Sequence, residues 1–403
     1  MTAPLPPSGS MRRIVLVLCA AEVLGMVGAF AFPALLPSFR REWNLTNTEA
    51  GWISGVYFAG YALAVPVLTA LTDRIDARRV WLGGTLAAVA AAGGFAVAAD
   101  GFWTAMAFRA LGGAALAGTY MPGLKAVVDR TGGPRQPQWM SWYTASFSLG
   151  TSTSFLFAGA AAEIWGWRAA YALAAGSALL AAILVAAAVP AVRPPPPEPA
   201  RLLDFRPVLR NRPVLGYVFA YAAHVWELFG LRSWMVAFLT ACAALRPSAP
   251  AMAPTTVATL ASLVAVAASI GGAELAVRFD RRRVCALAAL ASAATGAFLG
   301  FTIGWPYWAI AGLVLVYSGV VQLDSAALTT GAVLEAEPGR RGATIAVHSL
   351  LGFAGGFAGP LAFGWVLDRV GGDGATAWGA AFLSLGAVAG LGPLALRWSR
   401  AGR

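Results

Sequence analysis

Residues 73–80 read DRIDARRV, and half the chain later residues 277–284 read VRFDRRRV. In each stretch an aspartate precedes a basic cluster, and each stretch separates two long apolar runs. The run that opens each half carries a second match, because Glu22 with Gly25 corresponds to Glu227 with Gly230. These matches predict a chain built from two related halves.

The composition indicates a membrane protein. Of 403 residues, 59% are hydrophobic and 12% are charged, against about 25% charged in an average soluble domain. One globular core cannot bury that much apolar sequence, so the surplus must face lipid. The net charge of +11 does not favour nucleic acid as a partner, because the basic residues stand in short clusters between apolar runs.

Twelve runs are long enough to cross a bilayer core of about 30 Å, which takes about 20 apolar residues in a helix. Backbone groups in lipid must be paired within the segment, and the alternation typical of a barrel is missing, so the runs predict an all-α fold. The predicted spans are residues 13–36, 49–71, 80–99, 102–126, 139–162, 167–190, 213–242, 254–277, 284–303, 306–333, 343–367 and 375–396.

The loop charges predict the orientation. Most of the 29 basic residues fall on one side if both termini are cytoplasmic, as the excess of Lys and Arg in cytoplasmic loops requires. The Pro-rich segment 191–212 reads as a stiff cytoplasmic linker. It predicts a six-helix bundle in residues 1–190 and another in residues 213–403, both in a cell (inner) membrane.

The loop at residues 73–79 resembles the signature D-R-x-G-R-R that the major facilitator superfamily carries between its second and third helices. Thr69 and Asp76 stand where that pattern has glycines. Arg109 with the following glycines resembles the fourth-helix motif of the family, and the glycines around Pro360 are similar to its small-residue packing. The resemblance covers essentially the whole chain.

Membership in that family implies two bundles that rock about a central site and expose it to alternate sides of the membrane. It also implies that the charged residues of the two repeated loops act in gating rather than in substrate contact. These predicted gating residues are Asp73, Arg74, Arg78, Arg79, Arg278, Asp280 and Arg282.

Ionisable residues inside the spans are the candidate site, because a charge in mid-bilayer costs several kcal/mol and normally faces a cavity or a partner. Helices one, four, seven and ten line the cavity in the resembled family. The predicted substrate-binding or proton-coupling residues are Glu22, Arg109, Tyr120, His224, Trp226, Glu227, Arg232 and Asp324.

Structural roles compete with these functional ones. His224 and Glu227 lie one turn apart and can relay a proton, or can pair with each other or with Arg232. Arg109 and Arg232 can hold an anionic substrate through a fork of donors, or can form internal ion pairs. Glu22 or Asp324 is a possible partner of Arg232 in the second case.

The predicted function is secondary active transport of a small organic solute, with a slight preference for an anion and with proton coupling. Proton-coupled efflux of drugs or metabolites is the alternative, and a sensor or lipid-handling protein is a distant one. The sequence contains neither a nucleotide-binding loop nor a hydrolase motif, so it does not predict an enzyme. The expected partners are a small-molecule substrate, protons and lipid, with no metal, no cofactor and a monomeric chain.

Overall fold

A computed structural model describes residues 8–192, 205–247, 250–338, 340–372 and 374–400, and these described residues form helices without strands. The helices are α1 Ser8–Gly25, α2 Ala31–Glu42, α3 Asn47–Leu71, α4 Ala77–Ala98, α5 Phe102–Arg130, α6 Gln136–Ala188, α7 Arg206–Arg210, α8 Arg212–Ala244, α9 Pro254–Arg278, α10 Arg281–Gly300, α11 Tyr307–Gln322, α12 Ser325–Leu334, α13 Arg341–Val370, α14 Ala375–Ala389 and α15 Leu391–Trp398. The predicted all-α class is confirmed.

Nine helical segments of the described residues are long and apolar enough to cross a membrane. One of them, α6, contains both the fifth and the sixth predicted span. The first predicted span falls on α1 and α2, and the fourth falls on α5. Each of the twelve predicted runs is therefore helical, while the number that crosses the bilayer remains a prediction.

Three predicted spans are interrupted rather than continuous. The first breaks between Gly25 and Ala31, the tenth at residues 323–324 between α11 and α12, and the last at Gly390. Glycine is a poor helix former, which explains the weak points at Gly25 and Gly390. The span assignments from the sequence did not reveal these breaks.

The fifth and sixth spans meet at Gly166 without a loop. Gly166 has φ 83° and ψ 167°, a conformation that only glycine adopts readily, and helix continues on both sides of it. The 53 residues of α6 are thus two helices joined at a single residue.

The outward faces of the helices are apolar. Val97 is 83% exposed, Leu63 76% and Trp308 76%, and many other large apolar side chains are exposed to a lesser degree. A water-soluble protein rarely exposes so much contiguous apolar surface, whereas lipid solvates it well. The chain is a multi-pass membrane protein.

The helices form two compact units. The N-terminal unit comprises Met1–Ala31 and Leu63–Ala200, and the C-terminal unit comprises Phe32–Ala62 and Arg201–Arg403. Statements about either unit refer to its described residues. Residues 32–62 therefore group with the C-terminal helices, although they precede the predicted linker. The predicted boundaries at 190 and 213 remain a prediction.

Each unit has its own aromatic core. Trp81 and Tyr143 are fully buried in the N-terminal unit, where α1, α4, α5 and α6 pack together. In the C-terminal unit the ring centroids of Trp234 and Phe363 are 5.2 Å apart, which joins α8 to α13. These cores hold the buried polar side chains in fixed positions.

Only the ends of the predicted linker are described, and the Pro-rich run at residues 194–199 lies outside the described residues. The linker's last part is helical, because residues 206–210 form α7. Val208 is buried against Val214, Val218 and Val347 of the C-terminal unit. Asn211 then caps α8 by accepting a hydrogen bond from the backbone N–H of Val214.

Candidate functional site

The acid of the C-terminal unit, Glu227, is 1% exposed in the middle of α8. The hydroxyl of Tyr317 on α11 lies 2.9 Å from its Oε1, and the hydroxyl of Ser292 on α10 lies 2.7 Å from its Oε2. Three helices thus converge on one carboxyl group, and both of its oxygens have a hydrogen-bonding partner.

A histidine and an aspartate form a pair beside this acid. Nδ1 of His224, one turn before Glu227, lies 2.8 Å from Oδ1 of Asp324 at the break between α11 and α12. Both side chains are buried. No group of the described residues hydrogen-bonds Nε2 of His224. One ring nitrogen therefore faces a carboxylate, while the other is available to a proton or a solute.

A small cavity joins these groups. His224, Glu227 and Asp324 all line it, and the volume open to the centre of a water molecule is about 10 Å³. That is close to the room that one water needs. The cavity can carry a proton between the His224–Asp324 pair and Glu227 through one water molecule.

The acid of the N-terminal unit, Glu22, is also 1% exposed. The hydroxyl of Tyr143 on α6 lies 2.9 Å from its Oε2. The ring of Tyr143 is in turn near that of Tyr120, with centroids 6.3 Å apart. Glu22 therefore resembles Glu227 in depth of burial and in having a tyrosine partner.

The hydroxyl partners of both acids have a second acceptor. Tyr143 lies 3.1 Å from the carbonyl of Thr119, and Ser292 lies 3.0 Å from the carbonyl of Ala289. A hydroxyl has one hydrogen, but it can also accept. Each hydroxyl can donate to an ionised acid, or donate to the carbonyl and accept from a protonated acid. Ser292 can therefore hydrogen-bond Glu227, and Tyr143 can hydrogen-bond Oε2 of Glu22, in either protonation state. Oε1 of Glu22 has no hydrogen-bonding partner among the described residues.

The helix break after Glu22 is stabilised by side chains from α5 and α6. Ser154 donates to the carbonyl of Val27 at 2.7 Å and accepts from the backbone N–H of Phe30 at 2.9 Å. Arg109 donates to the carbonyl of Ala29 at 2.8 Å. Unpaired backbone groups inside a membrane need such partners. Arg109 therefore stabilises the break, whatever else it binds.

The other predicted site residues lie as follows. Arg232 is 5% exposed on α8, and its guanidinium carbon lies 5.8 Å from the ring centroid of Phe229. Trp226, also on α8, is half-buried. Tyr120 is half-buried on α5, with its ring 4.8 Å from that of Phe147. His224 pairs with Asp324 rather than with Glu227, which was one of the partners that the sequence left open.

The sequence of residues 18–255 matches the family model of the Major Facilitator Superfamily. The chain belongs to this superfamily. The resemblance of the 73–79 loop and of the Arg109 motif is thereby confirmed at the level of the family. As a superfamily member, the protein is a membrane transporter driven by gradients.

Solved structures of transporters share the fold of this superfamily member. A bacterial homologue of the human lysosomal transporter Spinster, inward-facing and occupied, is 14% identical over 98% of this chain and 96% of its own, with a TM-score of 0.74. A POT family transporter in complex with 5-aminolevulinic acid is 13% identical over 95% of each chain, with a TM-score of 0.76. No curated protein has a sequence that matches this chain.

In this superfamily member the first signature loop is held by Asp76. Its carboxylate accepts from Arg130 at 2.7 and 2.9 Å, from the backbone N–H of Val192 at 2.8 Å and from that of Arg78 at 2.9 Å. Burial raises the pKa of Asp76, but these hydrogen bonds outweigh burial, so its pKa is lowered. Asp76 thus connects the start of α4 with the end of α5 and with the segment that follows α6.

The second loop repeats this arrangement at its own aspartate. Asp280 caps α10 by accepting from the backbone N–H of Arg283 at 2.8 Å, and Arg400 donates to both of its oxygens. Arg78 donates to the carbonyl of Ala186, at the end of α6, and Arg282 donates to the carbonyl of Leu396, at the end of α15. The internal repeat of the sequence is therefore a repeat of contacts.

The remaining predicted gating residues are exposed. Asp73, Arg74 and Arg79 point away from the buried part of the N-terminal unit. Arg278 is exposed as well and pairs with Glu274 at 3.0 Å on its own helix. Their predicted gating role remains a prediction, while the buried contacts of the first loop are those of Asp76 with Arg130.

Several site residues escaped the sequence reasoning. Tyr143 and Ser292 approach the acids from other helices, and only knowledge of helix rotation identifies them. Asp76 had a signal, because the repeat aligns it with Asp280. Arg130, at the end of α5, had none beyond its charge.

Proposed function

We propose that the protein is a proton-coupled secondary transporter of a small organic solute. The observation that carries this proposal is the pair of buried acids whose hydroxyl partners can serve either protonation state. Ser292 can hydrogen-bond Glu227, and Tyr143 can hydrogen-bond Glu22, whether the acid is ionised or protonated.

The C-terminal unit supplies the proton path. A proton held by the His224–Asp324 pair passes through the adjoining cavity to Glu227, all within one compact unit. An ionised carboxylate inside the membrane costs free energy, and protonation removes that cost. The ionised form of Glu227 therefore favours a conformation in which the acid reaches water, and the protonated form favours the buried position. This difference lets the proton gradient drive the solute.

A preference for an anionic solute depends on Arg232. Arginine keeps its charge at all physiological pH values and can hold a carboxylate or phosphate through two parallel hydrogen bonds. Arg232 lies on α8, the helix that also carries His224 and Glu227, and Arg109 donates to the backbone carbonyl of Ala29. We assign the anion-binding role to Arg232 and a positioning role to Arg109.

A contact at the predicted outer side supports alternating access. Asp368, near the end of α13, accepts from the backbone N–H groups of Asn47 and Thr48 at 3.0 and 2.7 Å, and from both of their side chains. It thereby caps the first turn of α3, whose N–H groups lack helical partners. We propose that this outer latch holds the outer side closed and breaks when the site opens outward.

Close helix packing continues below the outer latch. A Cβ atom at Gly51 would lie 2.6 Å from the carbonyl oxygen of Pro360, and one at Gly55 would lie 2.3 Å from that of Phe357. Only glycine permits such an approach of α3 to α13. The seam is tight enough to exclude a solute, which suits a closed gate.

Flux in proteoliposomes tests the proposal. Purified protein is reconstituted with an imposed pH gradient, a panel of labelled organic anions, cations and neutral solutes is offered, and internal pH is followed with a trapped dye. We expect solute movement together with proton movement, and an anion as the better substrate. Solute flux that ignores the pH gradient would refute the coupling, while a saturable flux would still support transport.

A further inference from the structure

An open trough runs between α1 and α6 at the predicted cytoplasmic end of the N-terminal unit. Its volume is about 480 Å³, and it opens on the outward surface of the helices rather than into the bundle. The trough is lined by Arg12, Arg13, Leu16, Val17, Ala20 and Leu184. Two cations thus stand at one end of an apolar channel.

Among the described residues, no acidic side chain balances the charge of the two arginines. Arg12 and Arg13 are exposed, and neither forms an ion pair or a hydrogen bond with any of the described residues. The carboxylates of the same unit that lie on α1 and at the start of α4 are engaged elsewhere, Glu22 with Tyr143 and Asp76 with Arg130. The trough therefore has a positive end open to a ligand.

The rest of the trough is suited to hydrocarbon. Leu16 is 47% exposed, and the lining beyond the arginines consists of aliphatic side chains of α1 and α6. This surface faces the lipid region, so its ordinary neighbour is an acyl chain. A guanidinium at the membrane surface attracts anionic headgroups and forms two parallel hydrogen bonds with a phosphate.

We propose that this trough is a binding site for an anionic phospholipid of the cytoplasmic leaflet. The phosphate sits on Arg12 and Arg13, and one acyl chain lies along Leu16, Val17, Ala20 and Leu184. A zwitterionic phospholipid carries its own cation next to the phosphate, so it gains less from the two arginines. The site is distinct from the buried acids and does not depend on their role in transport.

Native mass spectrometry of the purified full chain, titrated with phosphatidylglycerol or phosphatidylcholine, tests the site. Each basic residue near an anionic leaflet contributes about 1 kcal/mol, so the double variant Arg12→Gln with Arg13→Gln should bind phosphatidylglycerol about 30-fold more weakly. The matched control replaces Arg210 and Arg341, which are exposed arginines outside the trough, by Gln. The control should bind phosphatidylglycerol as the unaltered protein does.

Two further arms separate the headgroup from the chain. Ala20→Phe, which fills the floor and keeps both arginines, should also weaken phosphatidylglycerol binding. Soluble glycerol phosphate should not compete at the same concentrations. Equal binding of the two lipids, equal loss in the control variant, unchanged binding by Ala20→Phe, or full competition by glycerol phosphate would each overturn the proposal.

Discussion

The two units provide different surroundings for corresponding acids. Glu22 in the N-terminal unit has one hydroxyl partner, Tyr143. Glu227 in the C-terminal unit has two, and a histidine–aspartate pair and a cavity adjoin it. The repeat thus sets where an acid is buried, whereas the side chains of neighbouring helices determine how readily a proton reaches it. We assign proton delivery to the C-terminal unit.

The signature loops also differ between the units, but here the N-terminal unit has the more buried contact. The Asp76–Arg130 pair of the N-terminal unit has side chains 5% and 1% exposed, while the Asp280–Arg400 pair of the C-terminal unit has side chains 43% and 51% exposed. A buried pair is costly to break, and an exposed one contributes little. The Asp76–Arg130 pair is therefore the costlier of the two ion pairs to break, and we call these two pairs the loop clasps.

The largest expected effect tests this difference in the clasps. Asp76→Asn leaves the buried guanidinium of Arg130 without its counter-charge, which should lower the free energy of unfolding by about 3–5 kcal/mol. Asp280→Asn should cost only about 0–1 kcal/mol. Unfolding in mixed micelles, followed by circular dichroism, measures both. Equal losses would contradict the comparison.

The clasp should also depend on pH in a defined direction. The folded-state pKa of Asp76 is lowered by its hydrogen bonds, so its contribution to stability is complete at neutral pH and is lost as pH falls through that lowered value. In Asp76→Asn this acid-induced loss should be reduced. Identical acid sensitivity of the variant and the unaltered protein would rule out Asp76 as its source.

The next effect separates the two acids in transport. Glu227→Gln keeps the shape and removes the titrating group, so flux driven by a pH gradient should fall at least about tenfold, a change of about 1.4 kcal/mol. Glu22→Gln should retain more of the pH dependence, because no His–Asp pair adjoins it. A larger loss in Glu22→Gln than in Glu227→Gln would reverse the assignment of proton delivery.

A smaller effect compares the hydroxyl partners. Tyr143→Phe removes the hydroxyl from Glu22 and should destabilise the protein by about 1–3 kcal/mol if that acid is buried without compensation. Tyr317→Phe should cost about 0.5–1.5 kcal/mol, because Ser292 still donates to Glu227. Thermal unfolding of the two variants side by side gives the order. The reverse order would show that Glu22 has the better-compensated environment.

The smallest expected effect concerns the outer latch, which lies in an exposed setting unlike that of Asp76. Asp368→Ala should lose about 1 kcal/mol of helix capping and open the outer side about fivefold more often. Ser54→Cys, at a fully buried position of α3, reports opening through its rate of labelling by an impermeant maleimide. Ser54→Cys alone is the control, and equal labelling rates would exclude the latch as a gate.

Sequence reasoning reached the fold because the relevant signals are local. Long apolar runs between basic loops predicted the helices, and the repeated loops predicted two related halves, whose Asp76 and Asp280 make corresponding contacts. The breaks beside Gly25 and at Asp324 were missed, because a helix tolerates glycine or aspartate unless neighbouring side chains stabilise the freed backbone. Ser154 and Arg109 do so from other helices.

The candidate site was reached only in part. Glu22, Glu227, His224 and Asp324 stood out because ionisable groups are rare inside apolar runs. Their partners did not, since hydroxyl-bearing residues such as Tyr143 are common in such runs, and hydropathy does not define which way a helix is rotated. The pairing of His224 with Asp324 likewise depends on tertiary contacts, and the sequence did not suggest it.

The single-residue junction at Gly166 has a consequence for how the molecule is made and handled. No loop separates the fifth and sixth predicted spans. We therefore expect the two helices to enter the bilayer together as one hairpin, because a single connecting residue cannot bridge an inserted helix and one that is still outside the membrane. A connection of one residue also offers no flexible loop at which a protease could cut, an antibody could bind or a tag could be inserted. A spectroscopic label that reports on this side of the protein should be attached to a different loop.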